Sequence, residues 1–159
     1  MGQEIERKFL VVADTGRCGC RSKRCRQGYL AFGPPAAVRI RIMEGVATLN
    51  IKTSTTAISR SEFEYEIPLA DAEALLADSC AGHPIEKTRY EIEYAGVTWE
   101  VDEFHGANGG MVVAEVELES ECQPVTLPPW VGREVSGDPR YLNTNLSQRP
   151  YSTWSHDER

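Results

Sequence analysis

Along most of this chain apolar and polar residues alternate one for one. In the amino-terminal stretch Glu4, Glu6 and Lys8 share one parity, and Ile5, Arg7 and Phe9 share the other. A period of two is that of a β-strand, whose successive side chains point to opposite faces. The same alternation predicts strands over residues 3–11, 27–32, 37–43, 47–53, 59–68, 85–94, 97–104 and 111–120. Turn chemistry separates several of them: Gly33-Pro34-Pro35, Glu44-Gly45, Ala95-Gly96 and the stretch from Gly106 to Gly110. One segment, LADAEALLADSC (69–80), changes period and puts Ala72, Leu75, Leu76 and Ser79 on one side, which predicts a helix with Asp71 as its cap. Shorter helical pieces are expected around 17–24 and 139–146. Residues 150–159 are expected to form a loosely ordered tail, with Trp154 positioned to dock. The chain shows neither linker nor internal repeat, so one domain spanning 1–159 of chiefly β structure is expected.

Sorting each strand by parity exposes a second regularity: one parity is charged nearly throughout. Arg39 and Arg41 alternate with Val38, Ile40 and Ile42, and Lys52 sits against Leu49 and Ile51. Glu62, Glu64 and Glu66 alternate with Phe63, Tyr65 and Ile67; Lys87, Arg89, Glu91 and Glu93 alternate with Thr88, Tyr90, Ile92 and Tyr94. Glu100 and Asp102 flank Val101, and Glu115, Glu117 and Glu119 flank Val116 and Leu118. An antiparallel sheet with its apolar face on a core and its charged face in water accounts for this pattern. A barrel with the charged parity inside accounts for it too. Two details favour the barrel. Like charges recur in segregated runs, which stability alone does not reward, and there are few helices to cover both faces of about eight strands. Burying so many ions costs several kcal/mol each unless they are paired or liganded. Six bases in such an interior can surround a polyanion, and carboxylates beside them can bind a hard divalent cation that bridges to phosphate.

Composition narrows the function classes. In 159 residues the formal net charge is -7, which argues against general nucleic-acid binding. No apolar run is long enough to span a bilayer and no export signal is evident, so the expected compartment is the cytoplasm, with no membrane partner. Five cysteines, Cys18, Cys20, Cys25, Cys80 and Cys122, make an odd count and are read as reduced thiols. The C-x-C-x4-C spacing of CGCRSKRC lacks the paired two-residue spacing of common zinc sites, and the bases around it, Arg17, Arg21, Lys23, Arg24 and Arg26, read first as a solvated surface. His105, at a turn after Glu103-Phe104, reads as a loop histidine rather than a ligand; His83 and His156 are assigned no role. No G-x-x-x-x-G-K-[ST] loop occurs, which argues against a P-loop nucleotidase.

The ordered set Glu4-x-Glu6-x-Lys8, Arg39-x-Arg41, Lys52, Glu62-x-Glu64, Lys87-x-Arg89 and Glu115-x-Glu117 resembles the CYTH superfamily of triphosphate tunnel metalloenzymes. MGQEIERKFL, RQGYL (26–30), IEKTRY (85–90) and PPWVGREVSGDPRYLNTNL (128–146) resemble its short bacterial branch in particular. The resemblance implies a mainly β (α+β) fold, an eight-stranded antiparallel closed β-barrel tunnel with a few flanking helices, that binds a small triphosphate compound with Mg2+ or Mn2+ and cleaves a phosphoanhydride bond. The branch is similar to inorganic triphosphatases acting on tripolyphosphate; other branches are nucleoside or thiamine triphosphatases and class IV adenylate cyclases, and a non-catalytic polyphosphate-binding module is a reading of another class. On this resemblance Lys8, Arg39, Arg41, Lys52, Lys87 and Arg89 are expected to grip the triphosphate. Glu4, Glu6, Glu115 and Glu117 are expected to hold metal, with Glu62 and Glu64 as further ligands. Tyr29, Lys8 and Lys87 are the expected catalytic groups, Tyr29 through a phenol whose pKa nearby cations lower. A monomer or homodimer is expected. The Cys/Arg-rich segment 17–26 has no counterpart in the shared pattern.

Overall fold

The computed structural model describes residues 2–13, 15–17, 19–54 and 58–159, with Gly2, Gln3 and Ser54 described by backbone alone. Among the described residues nine strands form: β1 (Gly2–Val11), β2 (Ser22–Ala31), β3 (Ala37–Met43), β4 (Val46–Ser54), β5 (Ser59–Glu66), β6 (Ala81–Tyr94), β7 (Val97–Phe104), β8 (Val112–Glu117) and β9 (Val131–Glu134). The helices are α1 (Leu69–Asp78) and α2 (Asn143–Gln148), with short 3-10 turns at 106–108, 139–141, 151–153 and 156–158.

All strand pairs are antiparallel, in the order β5-β4-β3-β2-β6-β7-β8-β1-β9, and β5 pairs back onto β1. That last pairing closes eight strands into a barrel, as the family resemblance implied. β1 is the closing strand. Its whole second half pairs with β8, from Glu6 opposite Glu117 to Leu10 opposite Val113. On its other side the first half pairs with β5, Glu4 opposite Arg60, and the end pairs with β9, Phe9 opposite Glu134. The two tightest turns are those predicted: Glu44-Gly45 and Ala95-Gly96 all take positive φ, the conformation that two-residue hairpins demand.

Four differences from the sequence reading have local causes. Of the helical piece expected at 17–24, residues 22–24 instead begin β2, because the long β6 extends far enough to pair Lys23 with Arg89 and Cys25 with Lys87, and the described residues before them form a turn. α1 begins at Leu69 after Pro68, so Asp71 lies in its first turn, where its charge suits the helix dipole, and makes no capping hydrogen bond. β9 is a four-residue edge strand, too short to show a period. The helix expected at 139–146 divides into a 3-10 turn and α2.

Apolar packing lies mainly outside the barrel. Phe9, Trp99, Val101, Ala114 and Val116 form one cluster with Trp130, and Ile40 and Ala47 pack beneath Ala72 of α1. Gly28 lets α1 approach, since a Cβ there would lie 2.8 Å from Cys80 Sγ and 3.0 Å from Leu76 Cδ2. At one end the inward parity itself turns apolar: Ile85, Phe104 and Val113 meet Val135, Tyr141, Leu146 and Trp154. The carboxy-terminal segment thus fills that end. Within residues 150–159, Trp154 is buried between the rings of Tyr141 and Tyr151, each 5.1 Å away. No helix among the described residues is long and apolar enough to cross a membrane.

Candidate active site

The charged parity faces inward. Inside the barrel lies a cavity of about 520 Å³, walled by seven bases, Lys8, Arg39, Arg41, Lys52, Arg60, Lys87 and Arg89, and four carboxylates, Glu4, Glu6, Glu100 and Glu115. The volume falls within the range of about 300–1,000 Å³ typical of small-molecule sites. Tyr29, Cys25, Ala37 and Met43 complete the strand-borne wall; Phe32 to Pro35 contribute from the β2–β3 connection, and Leu142 to Asn145 and Gln148 from α2 and the residue before it. Seven cations against four anions leave the cavity wall basic, which suits a compact polyanion.

Register explains why these side chains meet. Lys8 stands opposite Glu115 across β1 and β8, and Glu115 opposite Glu100 across β7. Asp102 stands opposite Arg89 across β6 and β7. Lys8 Nζ lies 2.8 Å from Glu115 Oε1 and donates to the Tyr141 carbonyl at 3.4 Å. Asp102, fully buried, accepts from Lys87 Nζ at 2.5 Å and from Arg89 Nε and Nη2, both at 2.7 Å. Arg89 also donates to Glu115 at 3.0 Å and to Glu100. A second group joins β1, β3, β4 and β5. Lys52 pairs with Glu4 at 2.7 Å and Glu62 at 3.4 Å, Arg41 with Glu64 at 2.7 Å, and Arg60 with Glu6 at 3.0 Å. Buried ions are tolerated here because each has a counter-ion.

Arg39 is the least satisfied of these cations. Its closest carboxylate, Glu62, is 3.7 Å away, and its buried Nε has no hydrogen-bond partner among the described residues. A buried guanidinium donor left open on a cavity wall is costly in an empty protein and favourable against an anion. Burial, and then the neighbouring Arg39, push Arg41 below the usual guanidinium range.

The carboxylates separate by environment. Burial pushes the Glu6 carboxyl up and Glu115 adds to it, against the pull of Lys8 and Arg60. Burial acts the same way on Glu115, but Lys8, Arg89 and Lys87 outweigh it and hold that carboxyl well below its usual range. An uncomfortable carboxylate facing an ionised one is a donor set that a hard divalent cation fits, since oxygen ligands of like charge are relieved by it. Glu4 also lines the cavity. Glu62 and Glu64 are turned to Lys52, Arg39, Arg41 and Asn50 and do not line it, and Glu117, opposite Glu6, is exposed. Among the described residues no three carboxylate, imidazole or thiol groups converge as a metal cluster. Of the six expected metal ligands, three therefore wall the cavity and three stand behind or outside it.

Tyr29 is buried and lines the cavity, with Arg39 opposite it across β2 and β3. Its phenol is shifted opposite to expectation. Burial pushes it up, and the cations Arg39, Lys8 and Arg60 only partly offset that. Sequence reasoning omitted Arg60, Glu100 and Asp102 from the site. Parity places all three there; Arg60 escaped notice because acids follow it on β5, and Asp102 because its role is to brace two bases. The amide and hydroxyl wall of Asn143, Thr144, Asn145 and Gln148 carries no charge pattern to find. Cys20, Cys25, Cys80 and Cys122 are free thiols, and Cys18 lies outside the described residues. His105 hydrogen-bonds Thr88 Oγ1 at 2.8 Å on the outer parity.

Comparison with known proteins agrees with this geometry. Residues 2–151 match the CYTH domain family. The chain is 46% identical to an inorganic triphosphatase of Acetivibrio thermocellus over 97% of this chain and 99% of that protein. It is 36% identical to an inorganic triphosphatase of Nitrosomonas europaea, over 91% and 96% respectively. The crystal structure of an inorganic triphosphatase superposes with a TM-score of 0.68 at 33% identity, covering 92% of this chain and 95% of the other. A conserved protein of Pyrococcus furiosus shares the fold at 22% identity, with a TM-score of 0.58 and coverage of 75% and 80%.

Proposed function

Because this chain belongs to the CYTH domain family, we propose that it hydrolyses inorganic triphosphate inside the barrel, with a divalent metal, Mg2+ or Mn2+. The observation that carries the reading is the cavity itself: seven bases on its wall, with an open Arg39 donor, in a space sized for a small polyanion. The two relatives named as inorganic triphosphatases, which match almost end to end, support the choice of substrate.

The chain's own residues divide the work. Arg39 and Arg41, with Lys8 and Lys52, grip the phosphoryl oxygens, the arginines through forked donors and the lysines as point charges. Lys87, braced by Asp102, keeps its ammonium at a fixed place on the wall, where charge develops as the anhydride breaks. Glu4, Glu6 and Glu115 are the residues that would hold the metal, which supplies Lewis-acid neutralisation of the phosphoryl charge when bound. Tyr29 keeps its proton at neutral pH because burial raises its pKa, so its phenol donates to an oxygen of the leaving phosphate rather than acting as a base. Rate enhancement then comes chiefly from positioning and preorganised charge.

The test is a metal-dependent substrate panel: orthophosphate release from tripolyphosphate and from ATP, each with Mg2+ and with Mn2+. Tripolyphosphate is expected to be the preferred substrate, with release abolished by chelation. A strong preference for ATP would overturn the substrate; tight binding of tripolyphosphate without release would overturn hydrolysis.

A further inference from the structure

Arg60 lies on the inward parity of β5, opposite Glu4 across the seam where β5 closes onto β1. It lines the cavity, with its side chain 18% exposed, and its guanidinium lies 3.0 Å from Glu6. Arg89, on the facing wall, contrasts with it. There Nε, Nη1 and Nη2 all donate to carboxylates: Asp102 at 2.7 Å twice, Glu115 at 3.0 Å, and Glu100. A guanidinium presents five N–H donors in a fixed fork, and Arg89 has committed its fork to the wall. Among the described residues Arg60 is held through a single ion pair, and it keeps the reach of a long, rotatable stem. Glu6 is itself a strained partner, since the like charge of Glu115 stands diagonally from it on the adjacent strand β8.

We propose that Arg60 is a substrate-binding residue, kept in reserve by Glu6 and released to a phosphoryl oxygen when a polyphosphate enters. This rests on the triphosphate reading above. An anion entering between the two walls offers Arg60 a doubly charged oxygen array in place of one carboxylate, and phosphate suits the guanidinium fork as well as carboxylate does. The exchange keeps Arg60 paired in both states, so loading the cavity leaves no bare cation behind.

The proposal is tested by calorimetric titration of tripolyphosphate into metal-free protein in a chelating buffer, across Arg60→Gln, Arg60→Lys, Glu6→Gln and the double variant Glu6→Gln/Arg60→Gln. Arg60→Gln is expected to weaken binding by about tenfold or more, as expected for a lost hydrogen bond between charged groups, with Arg60→Lys recovering part. Glu6→Gln, which frees the guanidinium, is expected to tighten binding several-fold, and the double variant to bind as weakly as Arg60→Gln. If the double variant returns to wild-type affinity, Arg60 serves only to neutralise Glu6, and the proposal fails. Unchanged affinity in both Arg60 variants also sinks it. Thermal melting of each variant checks the fold, and Arg60→Lys keeps the test open should Arg60→Gln not fold. Wild-type protein that neither binds nor cleaves tripolyphosphate would remove the functional reading first.

Discussion

Replacing Asp102 by Asn separates stability from anion affinity, because the two are expected to move in opposite directions. Asp102 is fully buried and accepts three charge-assisted hydrogen bonds, one from Lys87 and two from Arg89. The amide keeps the shape but removes the charge, and it turns one acceptor into a donor aimed at a cation. Removing one partner of a buried ion pair costs about 3–5 kcal/mol. For a chain of this size each kcal/mol lowers the melting temperature by about 2–4 °C, so a fall of roughly 6–20 °C is expected. Meanwhile a negative charge roughly 8 Å from a bound anion opposes it by about 2 kcal/mol at an effective dielectric constant of about 20. Its loss should tighten metal-free binding of tripolyphosphate by about thirtyfold. Acid titration adds an independent check. Burial alone would raise the Asp102 carboxyl, but Arg89 and Lys87 hold it below the ordinary 3.8. A depressed carboxyl stabilises the fold fully above its unfolded pKa, and that contribution fades as pH falls through the folded value. The stability gap between wild type and variant should therefore be constant from about pH 7 to 5 and narrow below about pH 4. Urea unfolding across that range, with calorimetry for binding, measures all three quantities. A variant that melts within about 2 °C of wild type, or that binds tripolyphosphate more weakly while folded, would refute the reasoning.

Two further outcomes follow from other parts of the molecule. Tyr29→Phe should lower kcat for tripolyphosphate by about a hundredfold, the lower end for loss of a general acid, while KM changes little; steady-state kinetics at neutral pH decide, and an unchanged kcat would return Tyr29 to packing. Trp154→Ala empties the space between the Tyr141 and Tyr151 rings and should cost about 3–5 kcal/mol, seen in urea unfolding; a loss below about 1 kcal/mol would mean the carboxy-terminal segment does not seal the barrel end.

How far the sequence could be read depended on the range of each interaction. The division of Glu4, Glu6 and Lys8 from Ile5 and Phe9 is local and legible, since the pleat imposes it whatever lies opposite. Whether that face looks into water or into a barrel is decided by β5 returning to β1, a pairing that leaves no mark in either strand alone. Family order, not periodicity, supplied it. Arg60 shows a subtler limit. Its parity is correct, but the acids after it suggested a metal-binding strand, and only the Glu4–Arg60 register reveals a cation at the seam. Tyr29 was legible as a site residue but not in its ionisation, because the burial that outweighs three nearby cations is a property of the closed wall. Glu62 and Glu64 were placed on the right strand face; their neighbours Lys52, Asn50 and Arg41 claim them.

The closing role of β1 bears on how the protein comes into being. β1 lies far along the chain from its main partner, β8, and its pairing with β5 is non-local as well; without these pairings β1 would be an open edge with unpaired backbone groups. Such non-local pairing slows folding. The chemistry-bearing row on β1 therefore meets its counterparts in the same step that completes the barrel.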